Sequence, residues 1–171
     1  MAISMFHASV PAFIQQLQAL SAVLDKAQAH AAAKKIDPAA LINARLFPDM
    51  FTLARQVQIA CDFAKGASAR LAGVEVPVYE DVESSFDQLK ARIAKTLDFV
   101  KTLKPSQIDG SETRDVTIKL GGKPVTFKGQ LYLVSFVLPN FYFHAATAYD
   151  ILRHNGVDLG KRDFIGAVPG M

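Results

Sequence analysis

Apolar residues recur at alternating spacings of four and three along most of the chain, and this rhythm constrains the fold more than any other feature. It is clearest at Phe6, Val10, Phe13, Leu17, Leu20, Leu24, Ala27 and Ala31. A repeat near 3.5 residues puts these side chains on one face of a helix, whereas a half-buried strand would alternate with a period of two. The rhythm returns at Leu53, Val57, Ala60, Ala64, Ala67 and Leu71, then at Phe86, Leu89, Ile93, Leu97, Val100 and Leu103. A last set comprises Leu131, Val134, Leu138, Phe141, Ala145, Ala148 and Leu152. An apolar stripe needs cover, and four such helices cover one another as a four-helix bundle.

The punctuation between stripes agrees. Pro11 either kinks the first helix or marks its start. Asp37-Pro38 is an N-cap followed by proline at the first helical position, opening a short helix through Leu41 and Ile42. Pro48 is expected to open the second long helix, which Gly73 and Pro77 stop. The third runs from about Ser84 to Leu103 and closes at Lys104-Pro105. Val116, Ile118 and Leu120 alternate with polar residues, as do Val125 and Phe127 beyond Gly121-Gly122, so residues 115–128 are expected to form a small β-hairpin. The fourth long helix begins near Gln130, carries Pro139 as a kink or restart, and is capped at Asn155-Gly156. Residues 157–171 are expected as an extended tail over the bundle. Between helices two and three, Gly73 to Glu83 spans roughly 33 Å when extended, about the length of a 22-residue helix. Those two helices can therefore run parallel, joined by a crossover.

Composition supports one domain, residues 1–171. At about 150 residues a chain buries roughly 68–70% of its unfolded surface, enough to fold without a metal or disulfide. A single cysteine, Cys61, excludes an intrachain disulfide and a cysteine-built zinc site. Nineteen basic against sixteen acidic residues leave a net charge of +3. The basic pairs Lys34-Lys35 and Lys161-Arg162 lie close to Asp37, Asp158 and Asp163, so there is no basic stripe for nucleic acid. No apolar run reaches membrane-spanning length, and the first residues lack a basic n-region. A cytoplasmic location is expected.

Residues able to carry chemistry are few. His7 and His30 lie near the ends of the first helix, and His154 in the last turn of the fourth, where a helix C-terminus favours it. His144 differs: it is mid-helix, on the side that carries Asn140 four residues earlier. It is either a satisfied pocket residue or a functional group. Phe141, Tyr142, Phe143, Phe136 and Tyr149 either line a pocket or pack as core and interface; a helix apolar on several sides needs a second cover, from the tail or another subunit. Tyr149 and Arg153, spaced i, i+4, are possible pocket lining or a solvated face. Cys61 is expected as a small buried hydrophobe, and Asp81 and Glu83 as favourable charge at the start of helix three.

The segments DPAALINARLFPDMFTLARQVQIACDFAKGASARLAG and LPNFYFHAATAYDILRHNGVDLGKRDFIG resemble the bacterial "domain of unknown function 1993" family, over essentially the whole chain. That family is similar to the DinB/YfiT-like group of four-helix bundles. The resemblance implies a mainly all-α fold with up-down-down-up helices, and a homodimer. It also implies a metalloenzyme fold, in which three histidines, one on helix two and a His-x-x-x-His pair on the last helix, hold a divalent metal such as Ni or Zn. In this chain His144 matches the second of the pair, Asn140 stands at the first, and Gln56 takes the helix-two place. Amide oxygens are weak ligands for transition metals, and a catalytic zinc takes three good protein ligands. No metal cofactor is therefore expected. The degenerate triad Gln56, Asn140 and His144 is expected to bond internally or to a small-molecule ligand.

Three functions follow. The first is a dimeric, non-metal bundle that binds a small ligand or serves in stress, with its pocket at His144. The second is a divalent-metal-dependent hydrolase or thiol transferase of the DinB-like type, with His144 aided by Asp49 or Asp62. The third is a structural interaction protein using its aromatic face.

Overall fold

A computed structural model describes residues 3–168. Four long helices form the body: α1 (Val10–Lys34), α3 (Leu53–Ala72), α4 (Phe86–Thr102) and α7 (Leu138–His154). The minor elements are α2 (Pro38–Ile42), α5 (Pro105–Ile108), α6 (Gly129–Leu131), a π-helical turn (Tyr132–Val137) and α8 (Lys161–Ile165). Between α5 and α6 stands the antiparallel hairpin β1 (Asp115–Leu120) and β2 (Lys123–Lys128).

Side-chain contacts fix the direction of each helix. Lys90 reaches Asp25 while Gln28 reaches Asp87, so α1 and α4 are antiparallel. Gln56 meets His144 while Arg70 meets Tyr132, so α3 and α7 are antiparallel. Gln58 on α3 pairs with Glu83 just before α4, and Asp62, one turn on, with Arg92, so these two helices run parallel. The order is up-down-down-up, and the segment from Gly73 to Ser85 is the crossover.

The stripes fill the core. On α1, Val10, Phe13, Leu17, Leu20, Leu24, Ala27 and Ala31 are all buried, as are the apolar stripes of α3 and α4. Pro11 falls in the first turn of α1, where its missing N–H costs no hydrogen bond. Asp37 caps α2 by accepting from Ala39 N–H at 3.0 Å. Gly73 takes the left-handed conformation (φ 70°) that ends α3. Gly129 sits where a Cβ would lie 2.0 Å from the Ser111 carbonyl oxygen, so only glycine fits where the hairpin turns into α6.

Four expectations need correction. Helix α3 starts at Leu53 rather than Pro48, because Thr52 accepts from Arg55 N–H and caps it, while Pro48 sits in an exposed turn closed by Met50 N–H to Phe47 carbonyl. Leu131 and Val134 are half exposed instead of on the seam. Ahead of Pro139, Leu138 N–H bonds back five residues to Leu133, and this wider turn shifts the phase so that Leu133, Val137 and Phe141 face the core. The segment after Gly156 is not simply extended. It forms α8, which docks on α1 through Gln15 and Gln16 side-chain amides donating to the Ile165 and Phe164 carbonyls. Residues 169–171 of the expected tail lie outside the described residues. Asp81 and Glu83 are not helix-start charges but partners of Arg92. Among the described residues no helix is long and apolar enough to cross a membrane.

Candidate functional site

Of the expected trio, the fold brings two residues together. Gln56, in the first turn of α3, and His144, midway along α7, meet where these antiparallel helices pack: His144 Nδ1 lies 2.6 Å from Gln56 Oε1. Both are buried, Gln56 at 1% exposure and His144 at 8%. Asn140 faces the same helix side but turns back, donating through Nδ2 to the Phe136 carbonyl at 2.7 Å.

The chemistry of this pair follows from one further bond. Gln56 Nε2 donates to the Phe51 carbonyl at 3.3 Å. Only the amide nitrogen can donate there, so Oε1 is the atom facing the imidazole. An amide oxygen only accepts, so Nδ1 carries the ring proton. Burial lowers the His144 pKa from its ordinary 6.5, and the positive charge of Arg55 lowers it further. The ring is therefore neutral, and Nε2 bears a lone pair that no described protein group engages. Phe63 stacks on the ring (centroids 6.0 Å apart, 19° between planes), and Phe143 meets it edge-on at 5.3 Å. A neutral histidine with a fixed tautomer and an apolar wall is suited to accept a hydrogen bond or a proton from a small molecule.

The other expected lining residues lie elsewhere. Phe141 is core, edge-on to Phe13 at 4.9 Å. Tyr149 packs against Phe164 of α8, and Arg153 reaches the Val157 carbonyl and Asp158. Asp49 is in the exposed turn, and Asp62 is held by Lys65 and Arg92, each at 2.8 Å. The donor set implied for Ni or Zn does not fit these residues. One imidazole nitrogen is committed to Gln56, Asn140 is bonded within its own helix, and the described residues hold no group of three His, Cys, Asp or Glu able to take a metal.

A second polar cluster escaped the sequence. Arg92 on α4, 3% exposed, pairs with Asp62 (2.8 Å), Asp81 (2.9 Å) and Glu83 (3.0 Å), and also donates to the Glu80 carbonyl. Arg55 pairs with Asp81, and Gln58 Nε2 donates to Glu83. Tyr79 of the crossover lies 4.2 Å beneath both Lys65 and Lys95. These contacts pin the crossover to α3 and α4. The only sequence signal was the run of acidic residues ahead of α4.

The four-helix bundle places the chain among DinB-like helical proteins. Its structure is similar to the crystal structure of a DinB family member protein from Shewanella denitrificans, with TM-score 0.87 and 39% identity over 97% of this chain and 94% of that one. The chain belongs to the family described as "Domain of unknown function (DUF1993)", whose model matches residues 5–165. No curated protein matches it.

Proposed function

We propose that this protein binds a small molecule at His144 without a metal, the ligand donating an O–H or N–H to Nε2. The observation carrying this is the 2.6 Å Gln56–His144 bond, which leaves one open acceptor in an aromatic surround. Phenol is a fitting probe, being an aromatic O–H donor. In nitrogen-correlated NMR, free His144 should show protonated Nδ1 and bare Nε2, and phenol should shift Nε2 while Gln56→Leu weakens that response. Elemental mass spectrometry of untagged protein purified without chelator should find well under one nickel, zinc or manganese per chain. A proton on Nε2 in the free protein, or one metal per chain, would sink the proposal.

The reading includes a cytoplasmic homodimer. Phe47, Phe51 and Phe143 are 64%, 54% and 55% exposed, and the last two adjoin the Gln56–His144 pair. Among the described residues the tail packs on Tyr149 through Phe164. Light scattering should give twice the chain mass and, for Phe47→Ser with Phe143→Ser, the monomer; a monomeric parent protein would refute it.

A further inference from the structure

A cleft of about 640 Å3 opens between α3, the hairpin and the π-helical turn, lined by the contacting pair Phe63 and Phe136 but not by His144. This is well within the size range of small-molecule sites. Its walls are mainly apolar, including Phe63, Ile118 and Phe136, and its polar groups are unusual. Arg70, half-buried, has no carboxylate within ion-pair distance among the described residues. Its one described side-chain partner is the Tyr132 hydroxyl, which accepts from Nη1 at 3.3 Å. A guanidinium has five N–H donors, so most of this one's capacity is unspent.

Two details make this a built feature. Arg70 lies back along its own helix because Gly66, one turn earlier, has no side chain; a Cβ there would stand 2.6 Å from Nη1. Tyr132 is 2% exposed, and since its oxygen accepts from Arg70 its own O–H is available to donate into the same space. The remaining carboxylate of the cleft, Asp62, is already balanced by Lys65 and Arg92, whereas Lys119 adds a second cation. We infer that this cleft is a binding site for an aromatic monocarboxylate, whose carboxylate takes the Arg70 and Tyr132 donors and whose ring lies against Phe63 and Phe136. A planar carboxylate matches the guanidinium fork, and an apolar body matches the walls. The site is independent of the ligand proposed at His144.

The test is calorimetric titration of the full-length His144→Gln chain, which lacks the Nε2 acceptor proposed for O–H donors, with naphthalene-carboxylate, using naphthalene-methanol as its uncharged match. One acid should bind per chain, with the alcohol weaker by about tenfold or more, as loss of charge-assisted hydrogen bonds requires. Amide shifts should cluster at residues 117–120 and 132–136. Arg70→Gln should weaken the acid by about tenfold and Tyr132→Phe by less, with Arg70→Lys in between. Parent chain and His144→Gln should bind the acid within about threefold of each other, the difference passing through Phe63, which both sites touch. Equal affinity for acid and alcohol overturns the inference, as does absence of saturable binding at millimolar acid or an unchanged Arg70→Gln. If Arg70→Gln fails to fold, the acid–alcohol comparison on His144→Gln decides alone.

Discussion

Helix α3 carries a buried polar cluster on each of two faces, and they are built on opposite principles. Toward α4, Arg92 is surrounded by three carboxylates, and these are tied in turn to Arg55, Gln58 and Lys65. Toward α7, Gln56 and His144 are neutral and share one bond, with the second imidazole nitrogen left open. Burying a charge is costly unless it is paired, so each charge of the first cluster has an opposite partner, and the cluster joins three segments distant in sequence. Even so, Arg92 Nε is buried without a partner, a cost the charge pairs must offset. A neutral pair carries a smaller desolvation cost and can keep an open acceptor. Paired charge therefore goes with holding the crossover in place, and an open acceptor with the site proposed to meet a ligand.

The sharpest way to break this contrast is to delete the central cation. Arg92→Met should cost about 3–5 kcal/mol in urea unfolding, the usual effect of orphaning buried charges. Glu83→Gln, on the nearly buried partner, should cost about 1–3 kcal/mol. Asp81→Asn, on a carboxylate 39% exposed, should stay within about 1 kcal/mol. Equal effects at Glu83 and Asp81 would show that burial does not set the strength of this network. On the other face, Gln56→Leu leaves the His144 Nδ1–H buried without its acceptor. A loss of about 1–3 kcal/mol is expected, together with a switch of the ring proton to Nε2. Retention of the Nδ1–H tautomer in that variant would show that Gln56 does not set it.

The Cys61 thiol is buried beside the Arg92 cluster, and burial pushes its pKa up to about 12. Thiol reagents at neutral pH should label it only as fast as the protein unfolds. Labelling at the rate of a small free thiol would place it at the surface instead.

What could be read in the sequence was local. The stripes, the Asp37 cap, the Gly73 and Asn155-Gly156 ends and the Gly121-Gly122 turn each depend on neighbours within a few residues. The start of α3 was misplaced because Pro48 is a strong signal for a helix start, yet the Thr52 hydroxyl supplies the cap. The phase of the last helix is not legible in the sequence, because a π-turn leaves no mark in apolar spacing. Pro139 showed that something must give there, but not that the turn before it would widen. Helix α8 did carry a signal, since Asp163 accepts from Gly160 N–H three residues before it. The Arg92 cluster had almost none, because its partners are 9, 11 and 30 residues away along the chain. At the candidate site, resemblance brought Gln56, Asn140 and His144 to notice, and only geometry separates the bonded pair from Asn140.

The smallest effect concerns protons and distinguishes a neutral site from a charged one. His144 has a folded pKa below 6.5, so from about pH 7.5 upward the ring is neutral in both folded and unfolded chains and contributes nothing to the slope of stability. As the pH falls through 6.5 the unfolded chain takes up the proton first, and stability drops until the folded pKa is passed. Between about pH 7.5 and 5.5 the parent protein should therefore lose more stability than His144→Gln, when both are unfolded in urea at each pH. Phe63, Phe143 and Gln56 facing the ring are uncharged and Arg55 is cationic, so no carboxylate among these neighbours opposes that trend. Equal losses would mean that the fold leaves the His144 pKa unshifted; a smaller loss in the parent would mean that the fold holds the ring charged, and the site would then belong with the Arg92 cluster.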